Sequence, residues 1–130
     1  NIDIPETVEG EDISGILKGN TSDMEKSAYI CACPGRDIFL KEFAEKGQDP
    51  RAFGWRGIRT QRYTYIIDRG YHPVEKLERL LYDNEMDPYQ MNPVVVEDIN
   101  EHPVAKELEK ELVQKMDRFN DLFNRDGLLI

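Results

Sequence analysis

Two cysteines, Cys31 and Cys33, stand two positions apart, directly before a Pro-Gly-Arg sequence, and are the first candidate nucleophiles in the chain. In a strand this spacing places both thiols on one face but separates their Cα atoms close to the limit that a disulfide tolerates. A zinc site would require further ligands at characteristic spacing, and the two histidines, His72 and His102, form no second pair. We therefore expect two free thiols packed within a strand.

The region from Arg51 to His72 is rich in guanidinium groups. It holds five arginines and one acid, Asp68, and so carries a charge of +4 in a chain whose formal charge is 17 − 26 = −9. Arginine forks bind sulfate or carboxylate oxygens bidentately, and a flat aromatic ring can stack on a sugar. The overall acidity argues against binding to nucleic acid, which requires a basic face to release counterions from phosphates. The pattern favours a smaller anionic ligand.

The length of 130 residues fits one domain. No apolar run approaches the roughly 18 residues of a membrane span, and the first ten residues lack the basic and apolar regions of a signal peptide. We expect neither a membrane nor nucleic acid as a partner.

Apolar and β-branched runs predict four strands, at about 27–33, 54–60, 63–68 and 79–83. A short helix is expected at 36–46, inside a long loop. From His102 the apolar period becomes 3.6, which predicts an amphipathic helix of some twenty residues that begins near Pro103 and is capped near Gly127. The fold class is therefore α+β, with a four-stranded antiparallel sheet packed against a long C-terminal helix.

In a meander the connections alternate between the two ends of the sheet. The loops at 34–53 and 69–78 should therefore emerge at one end, opposite the turn at Gln61. We expect that end to form part of a substrate rim, with Arg36, Trp55 and His72 as candidates. The alternatives are an arginine paired with an acid, a tryptophan in the core and a solvated loop histidine.

Two blocks resemble the C-terminal subdomain of the sulfatase family. Residues 55–66 (WRGIRTQRYTYI) match its R-x-x-R-T-x-R-Y-x-Y strand pair, and residues 81–92 (LYDNEMDPYQMN) resemble the following L-Y-D-L-x-x-D-P-x-E-x-x-N strand and turn. Residues 4–13 resemble the linker that leaves the catalytic domain of that family. The resemblance covers roughly residues 1–95.

The resemblance implies a parent protein in which a large α/β catalytic domain precedes this piece. Residues 1–26 would then be the linker, with a short helix at 12–17, and residues 27–130 the subdomain. The family hydrolyses sulfate esters with calcium and a formylglycine made from Cys or Ser in a C/S-x-P-x-R pattern. The implied ligand is a sulfated small molecule or glycan, and family members that act on glycans are commonly periplasmic or secreted.

The sequence departs from the family pattern at the residues that carry out catalysis. Counted from Cys31, the third position is Cys33 instead of proline, and counted from Cys33, Pro34 comes one residue early. No catalytic residue and no metal ligand of the family can be assigned to this chain. We therefore expect a sulfatase fragment that is inactive alone and exposes an apolar sheet face where the missing domain packs.

Two other readings remain open at this stage. One is the same subdomain of a related phosphoester or phosphonate hydrolase. The other is a free-standing interaction domain whose acidic helix, at 101–126, docks a partner.

Overall fold

The computed structural model describes residues 5, 7, 14–19, 27–74, 76–124, 127 and 129. Most of the predicted 1–26 linker lies outside these residues. The short helix expected at 12–17 is present as α1, Ser14–Leu17. Within the described ranges no helix combines the length and apolar character needed to cross a bilayer.

The described strands form one antiparallel meander in the order in which they occur along the chain. They are β1 (Ser27–Ala32), β2 (Gly54–Thr60), β3 (Tyr63–Gly70), β4 (Glu78–Asp83) and β5 (Val94–Val95). The four predicted strands are confirmed, but their number was wrong, because β5 was missed. A two-residue strand beside a proline has no alternating pattern to detect, and β5 exists through its pairing with Leu80 and Leu81.

The helices follow the predicted order but differ in length. The loop helix is α2, Asp37–Glu45. The C-terminal helix is α3, Pro103–Arg118, which is shorter than the twenty residues expected. It ends because Asn120 adopts a left-handed backbone conformation with φ of 51°, and a separate 3-10 turn, Leu122–Asn124, follows.

The core lies between α3 and one face of the sheet. From the sheet it includes Ile58, Tyr65 and Ile67, and from the helix Leu112 and Met116, all of them inaccessible to solvent. This arrangement confirms that the apolar stripe of α3 packs on the sheet instead of being left to bind a partner.

Arg56 lies in this interface with about 1% of its surface exposed. Its Nε and Nη2 donate to the two carboxylate oxygens of Asp121 at 2.7 and 3.0 Å. Burial alone would raise the pKa of Asp121, but hydrogen bonds from Arg56, the Phe123 amide and the Tyr29 hydroxyl outweigh it and hold the pKa below its ordinary value. The carboxylate is therefore kept charged.

A second buried pair involves a residue of α3 itself. Glu109, which has no exposed surface, accepts from Arg79 Nε at 2.8 Å and from the Tyr65 hydroxyl. Each pair thus joins an arginine from the sheet to a carboxylate of the C-terminal region, with a tyrosine as second donor. Both fix the helix on the sheet in one register.

The cysteines are free thiols, as predicted, but both are exposed. The expectation that they are packed was wrong, because β1 is an edge strand and Cys33 lies beyond its end.

We predict that Arg56→Met lowers the free energy of unfolding by about 3 kcal/mol, because it leaves a largely buried carboxylate without its partner. Urea denaturation at neutral pH measures this loss. The matched control is Arg62→Met, since Arg62 pairs with Asp83 at an exposed turn and should change little.

The same pair predicts the pH dependence of the loss. Because the folded pKa of Asp121 is depressed, its contribution is present above about pH 4 and is lost as the pH falls through the folded pKa. The stability difference between the wild type and Arg56→Met should therefore shrink in acid, and an unchanged difference at low pH would contradict an ion pair.

Candidate functional site: the loop end of the sheet

The segments 33–53 and 71–74 both emerge at one end of the sheet, which we call the loop end. Lys46 Nζ donates to the Pro73 carbonyl at 3.0 Å, and His72 Nδ1 lies 2.8 Å from a carboxylate oxygen of Glu42. These contacts join the two segments and confirm the prediction that they share one end.

Helix α2 is fixed to this end by a small apolar cluster. Phe43 is fully buried against Ala52 and Phe53, and the two phenyl rings lie 4.8 Å apart between centroids. The cluster is separate from the main core. It holds α2 in place, and the same side of the helix, one turn before Phe43, meets the second loop.

Phe39 makes that second contact. Its ring meets the His72 imidazole edge-on at 5.1 Å and lies 6.1 Å from the Tyr71 ring. Sequence reasoning did not select Phe39 or Glu42, although both follow Arg36 at helical spacing and could have been recognised as the face of α2 turned to the second loop.

The five arginines that cluster in the sequence do not form one basic patch. Arg56 is buried on Asp121, and Arg62 pairs with Asp83 at the opposite end. Arg51 is held by Asp49 at 2.7 Å, and Arg69 Nη1 donates to the Phe123 carbonyl at 2.9 Å. Successive strand residues face opposite sides of the sheet, and three of these arginines pair with acids. The positive charge of the segment is therefore dispersed.

The three candidate rim residues have different surroundings. Arg36 is exposed at the start of α2, and its guanidinium makes no hydrogen bond or ion pair with any of the described residues. His72 is exposed and contacts Glu42 and Phe39. Trp55 is half-buried on β2, on the sheet face opposite α3, and no described contact joins it to the other two.

The side chains of the loop end are of the kind that binds a ligand. The first turn of α2 uses the backbone carbonyl of Arg36 but not its side chain, so the guanidinium is left to bind an anion. The His72 ring, which contacts Phe39, adds a second polar group at the same end of the sheet. Among the described residues no three of His, Cys, Asp and Glu come together as a group that could hold a metal ion.

Comparisons with known proteins agree with this fold. No family model matches the sequence. An ulvan-active sulfatase from Formosa agariphila is 30% identical over 130 residues, which are 99% of this chain and 22% of that protein. The chain thus spans about a fifth of the length of this curated relative.

Two solved structures share the architecture. BT4656, in complex with its substrate D-glucosamine-2-N,6-O-disulfate, superposes with a TM-score of 0.62 at 20% identity, over 92% of this chain and 22% of that one. BT33494S-sulf, from a study of glycosaminoglycan metabolism by Bacteroides thetaiotaomicron, gives 0.67 at 21% identity, over 95% of this chain and 25% of that one. At these identities the likeness concerns the fold.

We predict that Phe39→Ala frees the second loop from α2, because it removes the ring that contacts both His72 and Tyr71. Loss of an aromatic contact of this kind should speed amide hydrogen exchange in residues 71–74 by about two- to tenfold. Ile38→Ala is the matched control, since Ile38 is the neighbouring apolar residue and is 72% exposed. Equal exchange in both variants would contradict the role given to Phe39.

Proposed function

Because this chain is homologous to a sulfatase along nearly its whole length, we propose that it is the C-terminal subdomain of a sulfate ester hydrolase. The observation that carries the proposal is the 30% identity over 99% of the chain, together with the two motif blocks at 55–66 and 81–92. The subdomain completes the fold of the parent enzyme. It does not turn over substrate alone, because the family's formylglycine and calcium residues have no counterpart in it.

The substrate class we propose is a sulfated carbohydrate. Three observations support it: the relative is described as ulvan-active, one structural neighbour binds a disulfated glucosamine, and the other comes from work on glycosaminoglycans. In this chain the support comes from the loop end, where a guanidinium and an imidazole lie on joined loops. Such groups bind sulfate oxygens by charge-assisted hydrogen bonds.

We assign the rim of the substrate site to the loop end. Arg36 is the strongest candidate. Its guanidinium makes no hydrogen bond or ion pair with the described residues, so none has to be broken when it binds an anion. His72 is positioned by Phe39 and Glu42 and can donate to a sulfate or a sugar hydroxyl. Trp55, on the other sheet face, reaches the substrate only if the catalytic domain packs across that face.

The full-length polypeptide that contains this chain should release inorganic sulfate from a sulfated oligosaccharide, and the 130-residue chain should not. Sulfate is measured by ion chromatography, with a phosphorylated oligosaccharide of the same length as the matched substrate. Preference for the phosphorylated sugar would instead assign the parent to phosphoester hydrolysis. Turnover by the isolated chain would contradict the fragment interpretation.

Arg36→Ala in the full-length enzyme should lower kcat/KM for the sulfated substrate by about tenfold, the cost of one hydrogen bond between charged groups. His72→Ala should act in the same direction and more weakly, because an imidazole lacks the planar fork of donors that a guanidinium offers to an anion. Arg62→Ala is the control, since it removes an exposed arginine from the opposite end of the sheet. If the three variants are indistinguishable in kcat/KM and equally stable, the rim lies elsewhere.

A further inference from the structure

The two ring nitrogens of His72 have different surroundings. Nδ1 lies 2.8 Å from Oε2 of Glu42, and Nε2 makes no hydrogen bond with any of the described residues. The His72 side chain is 54% exposed, so a ligand can reach the ring from solvent. One nitrogen is thus occupied by the protein, and the other is left for a ligand.

The partner of Nδ1 determines where the ring carries its hydrogen. The Glu42 side chain is about half exposed to water, and an ionised carboxylate accepts hydrogen bonds but cannot donate one. Nδ1 is therefore assigned as the donor in this contact. A neutral imidazole has a single N–H, so in that form Nε2 is bare and acts as an acceptor.

Helix α2 holds this arrangement with three side chains from one face. Phe39, Glu42 and Lys46 follow one another at helical spacing. The Phe39 ring meets the His72 ring edge-on at 5.1 Å, and Lys46 Nζ donates to the Pro73 carbonyl at 3.0 Å. Within the described residues no ion pair joins Lys46 to Glu42, so the charged group that faces Nδ1 is the carboxylate. The ring and the residue that follows it are both held by α2.

The contact between Glu42 and His72 contributes little to stability. Ion pairs between exposed side chains are worth at most about 1 kcal/mol. A carboxylate on one imidazole nitrogen nevertheless selects the tautomer and the orientation of the ring. The contact is therefore better explained by its effect on Nε2 than by its effect on the fold.

We propose that Glu42 is a positioning residue, which fixes the hydrogen of neutral His72 on Nδ1 so that Nε2 accepts a hydrogen bond from a hydroxyl of the substrate sugar. The inference rests on the proposed function, because it assigns a role within the substrate rim. Sulfate oxygens only accept hydrogen bonds, so they suit the guanidinium of Arg36 and the protonated form of His72. A hydroxyl can donate, and it is therefore the group that the neutral ring recognises.

The tautomer is tested by nitrogen NMR of the full-length protein with isotope-labelled histidine, at about pH 8.5, where an imidazole is neutral. The His72 signals are those that His72→Gln lacks. We expect the hydrogen on Nδ1 in the wild type, and on Nε2 in a large share of Glu42→Ala molecules, because that variant has lost the acceptor. The control is Glu45→Ala, which removes another exposed carboxylate of α2 and should match the wild type. Hydrogen on Nε2 in the wild type, or no change in Glu42→Ala, would overturn the proposal.

Recognition of a hydroxyl is tested with sulfated oligosaccharides in which one hydroxyl at a time is replaced by fluorine, which cannot donate a hydrogen bond. At the same pH, one of these analogues should lose about five- to tenfold in kcat/KM with the wild type and with Glu45→Ala, the cost of one hydrogen bond. With His72→Ala the same analogue should lose less than about twofold, and with Glu42→Ala less than about threefold, because the ring can then turn an N–H toward the fluorine.

The two readouts separate this inference from the proposed function. A full-length protein that releases no sulfate overturns the proposed function, while the NMR signals still support or overturn the role of Glu42. If sulfate is released but every fluorinated analogue loses the same factor with the wild type and with His72→Ala, the inference fails and the proposed function stands.

Discussion

The arrangement of the loop end depends on how the buried guanidinium of Arg56 is satisfied. Besides both oxygens of Asp121, it donates to the carbonyls of Arg51 at 2.7 Å and Phe53 at 3.2 Å. One side chain therefore ties the C-terminal turn after α3 to the segment that leads into β2. A lysine could not make this set of bonds, because its ammonium lacks the planar fork. The cost of burying the charge is offset only while every partner stays in place.

Aromatic rings connect the buried Arg56 guanidinium to the residues at the surface of the loop end. Phe123 lies 4.8 Å from the Arg56 guanidinium, and Arg69 lies 5.1 Å from the Phe53 ring, where it also donates to the Phe123 carbonyl. Phe53 in turn supports α2 through the buried ring of Phe43. The exposed residues of the loop end thus rest on a continuous set of packed groups that begins at a buried ion pair.

The sequence predicted the parts of this fold that have a strong period. The strands at 54–60 and 63–68 and the stripe of the C-terminal helix were recognisable because burial repeats every two or every 3.6 residues. The strand at Val94–Val95 was not, since pairing alone defines it. The arginine cluster was misleading for a related reason: residues that are close in sequence point to opposite faces of a strand, so the +4 segment divides among a buried pair, an exposed turn and the loop end.

The two faces of the sheet differ in what covers them among the described residues. Ion pairs and a packed core fix α3 on one face, so the register of the helix on the sheet is set without the other face. Residues 66 and 67, and likewise 80 and 81, supply apolar side chains to both sides, which is costly for a sheet that stays half solvated. The loop end, which carries Arg36 and His72, is fixed to this sheet by the buried Phe43 cluster and by the contacts between its two segments. A substitution in that packing can therefore shift Arg36 and His72 without replacing either residue.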